Sequence, residues 1–395
     1  TAPAIKKNHA TRGKEGLRLL SPRERLQKAV RREQPDRVPL DLGGSATGIE
    51  SVPYKDLLRY FELPAENITC FVREHAEPHE ELLQKLSVDT RYLRIRPPHN
   101  YSREILPDNS YYDEWGIRWR KPPSSFYWDP VEHPFGGTAS PAAVRRHNWP
   151  VIKDPGRTAG LREKARQLYE TTPYALVADA PMNGVFETCL LLRGYQAFLE
   201  DLIANRHFAF TLLEKVTGLL IELYQYYLEA IGPYVDVVMT TDDLGMQQSL
   251  LISPQMYREM IKPFQKEFFA AIKQKTKAAL FLHSCGAIRP LIPDLIEIGV
   301  DIINPVQPTA KNMDTAELKA EFGRHITFWG AVDSQRTLVK GSPEDVAAEV
   351  RRRLRDLAPG GGYVLCASHN IQPGVSPQNI AAIYETANRF GWYDR

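Results

Sequence analysis

From Pro150 to the C-terminus, short apolar runs alternate with amphipathic stretches of helical length. The spacing predicts helix 157–170 before strand 174–179, long amphipathic segments over 187–231 before strand 235–240, and helix 253–276 before strand 278–283. Helix 288–298 then leads to strand 301–304, helix 314–322 to strand 326–330 and helix 343–357 to strand 363–367, and a last helix covers 376–390. Strands separated by helices pair in parallel through right-handed crossovers. Val38-Pro39-Leu40-Asp41-Leu42 reads as an earlier strand that breaks at Gly43-Gly44. With the early strands the count reaches about eight, which favours α/β architecture of the closed (β/α)8 TIM type over an open doubly wound sheet.

The first 150 residues decorate that barrel. Residues 1–20 are polar and basic and read as a flexible tail; residues 21–395 read as one domain. An N-terminal helix starts at Ser21, with Pro22 at its first position and Glu24 completing a capping box. Residues 90–150 lose the helical period and crowd Tyr111, Tyr112, Trp115, Trp119, Tyr127, Trp128 and Trp149 together, as in a β-rich insertion or lid. Two uses of these rings follow from their chemistry. They can pack on one another as a small aromatic core, or they can wall a flat substrate, with Trp115 and Trp119 as contacts.

Bulk properties narrow the function. Fifty Lys and Arg against 48 Asp and Glu leave a formal charge of +2, which gives no electrostatic case for nucleic acid or a membrane surface. The basic residues between 6 and 32 fit a solvated tail and helix face. No apolar stretch approaches a membrane span, and no secretory core opens the chain. Cys70, Cys189, Cys285 and Cys366 are too few for a disulfide framework, so a reducing cytoplasm is expected. There is no glycine fingerprint for a nucleotide; Gly360-Gly361-Gly362 precedes a strand and reads as a turn.

Chemistry gathers where the predicted strands end. His283 and Cys285 flank Ser284 between an apolar run and Gly286. Residues i and i+2 of an extended segment project to one side, and imidazole with thiolate suits zinc, so one metal could take both. The alternative is a histidine satisfied in the barrel rim and a cysteine that only packs. Asp179, Asp242, Asp243, Asn304, Gln307, Asp333, Cys366, Ser368 and His369 fall at other strand ends. Helix capping accounts for Asp333, and Asn304-Pro305 is a turn signal. Capping does not call for thiols or imidazoles; metal binding does.

The chain resembles the uroporphyrinogen decarboxylase superfamily, and within it the zinc- and corrinoid-dependent methyltransferases of the O-demethylase methyltransferase type. The resemblance runs from Ser21-Pro22-Arg23-Glu24-Arg25 and Pro35-Asp36-Arg37-Val38-Pro39 to the C-terminal helix. It is carried by Asp242-Asp243-Leu244-Gly245, His283-Ser284-Cys285-Gly286, Gly299-Val300-Asp301 with Asn304, Phe328-Trp329-Gly330-Ala331-Val332-Asp333 and Ser376-Pro377-Gln378-Asn379-Ile380. Where decarboxylases carry Arg-Gln-Ala-Gly-Arg-Tyr, this chain has Leu42-Gly43-Gly44-Ser45, which argues against porphyrinogen decarboxylation.

The resemblance implies zinc held by His283, Cys285 and a third residue near the last strand. Counting back from Asn379-Ile380, that position falls on His369 where the family has cysteine; Cys366, three residues earlier, is the alternative. His369 is the favoured reading, and it could also contact substrate. The remaining position goes to a carboxylate, Asp243 ahead of Glu187, or to solvent and substrate. Asp242, Asp243 and Glu187 are the candidate catalytic carboxylates, and Asn304 and Gln307 candidate substrate contacts. The implied reaction moves a methyl group between a small-molecule donor, with a methoxylated aromatic favoured, and a corrinoid (cobalamin). The chain has no Asp-x-His-x-x-Gly motif, so the corrinoid is expected on a separate protein. The rivals are methyl transfer from a methylcorrinoid to a thiol, a metal-free lyase using His369 and Asp243, and a non-catalytic corrinoid-binding barrel. A homodimer is compatible with the resemblance.

Overall fold

A computed structural model describes residues 19–393 except 67, 73, 124, 126, 127 and 138. Tyr127 and residues 1–18 of the predicted tail lie outside the described residues. Seven parallel strands form one curled sheet in the order Thr90–Leu93, Ala175–Ala178, Val237–Thr241, Ala279–His283, Ile302–Asn304, Thr327–Val332 and Tyr363–Ala367. The segment around Leu40 closes the ring. Leu40 bridges Leu365 in parallel, Asp41 N donates to Leu365 O at 3.1 Å, and Asp89 N donates to Leu40 O at 2.8 Å. The eight-part barrel is therefore complete, with Val38–Leu42 as its first stave.

Alternation along the strands sorts side chains into two cores. Outward residues pack beneath the helices. Tyr92, Val177, Met239, Phe281, Ile302, Trp329, Val364 and Cys366 fill the interior. Parity then carries Thr241, His283 and Asn304 one layer higher, to the mouth at the C-terminal strand ends, because strand side chains repeat every two residues. Thr241, His283 and Asn304 also lie level across three neighbouring strands.

The N-terminal helix, Pro22–Val30, has the predicted capping box: Ser21 Oγ accepts from Glu24 N, and the Glu24 carboxylate accepts from Ser21 N. Its Arg25 reaches Asp36 at 2.7 Å and Asp89 at 2.6 Å, while Arg37 meets Asp89 at 2.8 Å, all buried. In that network Arg25, Asp36 and Arg37, with Asp89, lock the helix across the barrel floor. Buried guanidinium groups need such partners to be tolerated.

The predicted insertion needs one correction. Thr90–Leu93 is a barrel strand, paired in parallel with Ala175–Ala178, so the excursion begins after it. Its four buried residues are too short a run to stand out against the irregular aromatic stretch that follows. The excursion is β-rich as expected: Ser110–Tyr112, Arg118–Arg120 and Asp129–Glu132 form an antiparallel three-stranded sheet. Trp115 is 3% exposed and meets Trp149 edge-on, and Phe135 and His147 join the same cluster. Trp119 is buried, and its indole Nε1 donates to Asp113 at 2.7 Å. Both tryptophans hold the insertion together, which is the mini-core use of these rings, and neither has a bare face to offer a flat substrate.

The three glycines at 360–362 all have positive φ and make the expected turn before Tyr363–Ala367. Among the described residues, no helix is long and apolar enough to cross a membrane.

Candidate metal centre

His283 is the last residue of its strand, and Cys285 follows on the loop that leaves the barrel rim. Gly286 permits that loop. Its φ is +86°, and a Cβ there would fall 2.6 Å from the backbone of Gly245 and Met246. Any larger residue would push the two rim loops apart. Ser284 turns the other way, and its hydroxyl accepts from Leu244 N at 3.0 Å. The sequence His-Ser-Cys-Gly thus places a ring, a brace, a thiol and a close backbone approach in succession.

The protonation of His283 follows from its neighbours. Its Nδ1 is bonded to Asn304 Oδ1, and Asn304 Nδ2 donates to Trp329 O at 2.9 Å. With the amide nitrogen committed to a carbonyl, its oxygen faces the ring and requires a proton on Nδ1. In the neutral ring Nε2 then carries the lone pair, and it points at Cys285 Sγ, 3.3 Å away. A carbonyl-type oxygen on the far nitrogen of an imidazole ligand is the usual support for a metal-binding histidine. Asn304, expected to contact substrate, is instead committed to His283. Its replacement by alanine should weaken zinc binding by about 10- to 100-fold, as read by competition with a chromogenic chelator; unchanged affinity would reject this role.

His369 completes the group. Its ring lies 5.6 Å from that of His283, centroid to centroid, and the ligand atoms of His283, Cys285 and His369 all lie within 4.8 Å of one another. Burial, with the cost of a second positive charge beside another imidazole, pushes His369 down to about 4, so the ring is neutral at pH 7. Burial also pushes the Cys285 thiol well above its ordinary value, and the Asp243 and Glu187 carboxylates add to this. The donor set is two neutral imidazoles and a thiol that ionises only with help from a cation. Those donors fit zinc in type and number for three protein ligands.

Cys366 is elsewhere. It is 1% exposed in the barrel interior, one layer below the mouth, with its Sγ donating to Ala367 O at 3.2 Å. The structure therefore brings His369, and not Cys366, to His283 and Cys285. One residue of strand, Ala367, and one beyond it, Ser368, separate Cys366 from His369, and the chain bends there.

The carboxylates divide into two kinds. Asp243 lies beside the group: its Oδ1 accepts from Cys285 N at 2.7 Å and sits 3.9 Å from His283 Nε2. Asp242 is 1% exposed and accepts from Phe186 N, Glu187 N and Gln265 Nε2 at 3.1, 2.8 and 2.7 Å. It caps the Val185–Arg193 helix and so sets the position of Glu187; burial raises it to about 6. Glu187 lies close enough to act electrostatically on Cys285 and Tyr195. Gln307 is also a brace, accepting from Gly286 N at 3.1 Å and donating to Gln247 at 2.8 Å. Asp333 caps the turn after its strand, accepting from Gln335 N and Thr337 N at 2.9 and 3.0 Å.

Across the mouth stands an ion-pair network that only Asp179 announced. Asp179 accepts from Ser45 N and Oγ and from Arg94 Nε at 3.0, 2.7 and 2.9 Å, and Arg94 also reaches Glu77 and Gly43 O. Arg94 was hidden because it follows the strand that the aromatic insertion obscured. Ser45 and Gly43 occupy the stretch where the resemblance places the decarboxylases' arginine-containing motif; here Gly43 O accepts from Arg94, and Ser45 holds Arg94's partner Asp179.

The fold and this cluster define a TIM barrel with a soft-ligand site at its catalytic rim. The sequence model described as Uroporphyrinogen decarboxylase (URO-D) matches residues 156–390, and the chain belongs to that family. Among curated relatives, uroporphyrinogen decarboxylase of Thioalkalivibrio sulfidiphilus is 25% identical over 185 residues, which is 45% of this chain and 49% of that protein. The chloroplastic uroporphyrinogen decarboxylase 2 of Arabidopsis thaliana is 22% identical over 290 residues, 68% of this chain and 70% of that one. The match thus spans about half the length of the first of these relatives. Among solved structures, a methyltransferase from Methanosarcina mazei shares the fold, with a TM-score of 0.62 and 20% identity over 94% of this chain and 99% of its own.

Proposed function

We propose that this chain is a zinc-dependent methyltransferase that moves a methyl group between a small-molecule donor and a corrinoid carried on a separate protein. The observation that carries the reading is the convergence of His283, Cys285 and His369 at the barrel mouth. Decarboxylation of a carboxylated substrate asks for cations and proton donors, and has no use for a thiol aimed at an unprotonated imidazole. A same-fold protein named a methyltransferase is in keeping with the reading.

His283, Cys285 and His369 would hold the zinc, with Asp243 ahead of Glu187 for a fourth place. Zinc supplies Lewis acidity there, withdrawing charge from the heteroatom that leaves a methyl group or ionising a thiol that accepts one. The chain's own residues prepare the site. Asn304 holds His283 in the tautomer that presents Nε2, Asp243 pins the Cys285 backbone, and Asp242 fixes the helix that carries Glu187. The mouth stays open to solvent beside Asp243, whose side chain is 33% exposed, and a corrinoid protein would dock on this rim.

The donor favoured is an aryl methyl ether. A phenolate leaving from an unactivated ether needs zinc assistance, and with it leaves more readily than the hydroxide or amine anion that methanol or a methylamine would release. Trp115 and Trp119 no longer add to that preference, since both are spent in the mini-core. The test is loss of the cobalt(I) spectrum of a reduced corrinoid protein on adding the zinc-loaded chain with 2-methoxyphenol, methanol or methylamines in turn. Fastest loss with 2-methoxyphenol is expected. Faster turnover of the aliphatic donors would reject the aromatic preference, and turnover without any corrinoid would reject the corrinoid reading.

A further inference from the structure

Glu50 is a buried carboxyl with one oxygen left unbonded. It is 6% exposed, and its Oε2 has no hydrogen-bond partner among the described residues. It occupies the cap position of the Ser51–Tyr60 helix, yet its side chain makes no cap bond. The backbone shows where it points instead. Residues 49 and 50 run between two partners at the barrel mouth: Ile49 bridges Ile371 in parallel, Glu50 N donates to Ile371 O at 2.9 Å, and Glu50 bridges His75 in antiparallel fashion. Ile49, Ala76 and Ile371 are all buried in the main hydrophobic core and so define one face of this small sheet. Glu50 and His75, directly opposite each other, share the other face.

Through His75 that face borders His369, and through Glu74 and Lys121 it meets the insertion. His75 is near enough to His369 to disfavour its protonation, and Ile371 lies two residues beyond His369 on the same loop. From the insertion, Lys121 reaches down to Glu74 at 2.5 Å, and among the described residues these two charged groups act on Glu50. Burial together with Glu74 raises Glu50 to about 7, against the opposing pull of Lys121. Leaving a buried oxygen unsatisfied costs stability, and groups that retain such a cost cluster at working sites.

We propose that Glu50 is the proton-exchanging catalytic residue of the mouth, donating to the heteroatom that departs from the methyl group. The proposal rests on the methyltransferase reading. In that reaction the bond between methyl carbon and oxygen breaks with its electron pair going to oxygen, which takes the Glu50 proton and leaves as an alcohol or phenol. The methyl group bonds to the cobalt of the corrinoid substrate, which passes from cobalt(I) to cobalt(III), and Glu50 is left as a carboxylate that regains its proton from solvent. In the opposite direction the same carboxylate would take the proton of an incoming alcohol or phenol.

The experiment compares wild type, Glu50→Gln and Glu50→Asp as full-length, zinc-loaded chains with 2-methoxyphenol and the reduced corrinoid protein. Glu50→Gln should keep wild-type zinc content and lower kcat/KM by about 100-fold or more. It should also lose the alkaline fall in rate expected near pH 7 for wild type, and Glu50→Asp should restore part of both. Infrared spectra give a readout independent of turnover: a protonated-carboxyl band that titrates near pH 7 in wild type and is absent from Glu50→Gln. A zinc-loaded Glu50→Gln chain with wild-type rate and pH profile would overturn the role of Glu50 alone. A wild-type chain that takes up no zinc would overturn the underlying methyltransferase reading, and this role with it.

Discussion

Cys285→Ala is expected to leave a folded protein that no longer retains zinc and no longer transfers methyl groups. Wild type should carry one zinc per chain. The thiolate is the only anionic ligand among His283, Cys285 and His369, and its loss leaves two neutral imidazoles to hold a dication. Removal of an outer partner already costs a metal site about 10- to 100-fold in affinity, and loss of the charged ligand should exceed that. The methyl-transfer rate should fall by about 10³-fold or more, which corresponds to about 4 kcal/mol of lost transition-state stabilisation. The fold should survive, because Asp243 grips the backbone nitrogen of Cys285 and Ser284 holds Leu244, and neither contact uses the thiol. Elemental analysis and thermal melts of both proteins check the two halves of this expectation. Stoichiometric zinc in the alanine variant would reject Cys285 as a ligand.

His369→Ala and Cys366→Ala should part in opposite directions. Alanine at 369 removes an imidazole whose ligand atom lies with those of His283 and Cys285, so zinc should be lost while the barrel interior is untouched. Alanine at 366 removes a sulfur buried among Trp329, Phe281 and Val364 one layer down. That should cost about 1–2 kcal/mol of stability and leave zinc and turnover near wild type. Denaturant melts and metal content, measured on both variants, separate the outcomes. Zinc retained in His369→Ala and lost in Cys366→Ala would mean that the loop after Tyr363–Ala367 takes a different course.

Glycine and proline punctuation, capping residues and apolar period made most of the barrel legible. The Pro343–Leu357 helix and the Tyr363–Ala367 strand fall on their predicted bounds, and the Pro22–Val30 helix starts on its predicted cap. These features are local: each is decided by residues within a turn or two of one another. Thr90–Leu93 was obscured because a four-residue strand buried on both faces carries no alternation to mark it. Its identity comes from pairing with Ala175–Ala178, 85 positions away at Thr90↔Ala175.

The site divides along the same physical line. The chain's local order determined that His283 and Cys285 share a side of one strand end, since a two-residue period follows from backbone geometry alone. Which residue joins them was a question of register at a loop, and closure of the barrel decided it by placing Cys366 in the interior and His369 at the mouth. The roles of Asn304, Gln307 and Asp242 as braces, and the burial of Trp115 and Trp119, depended likewise on partners far along the chain. Glu50 gave no signal in one dimension, because a glutamate before a helix is an ordinary solvated residue. Burial without a partner is a property of the space around it, and only tertiary packing creates that.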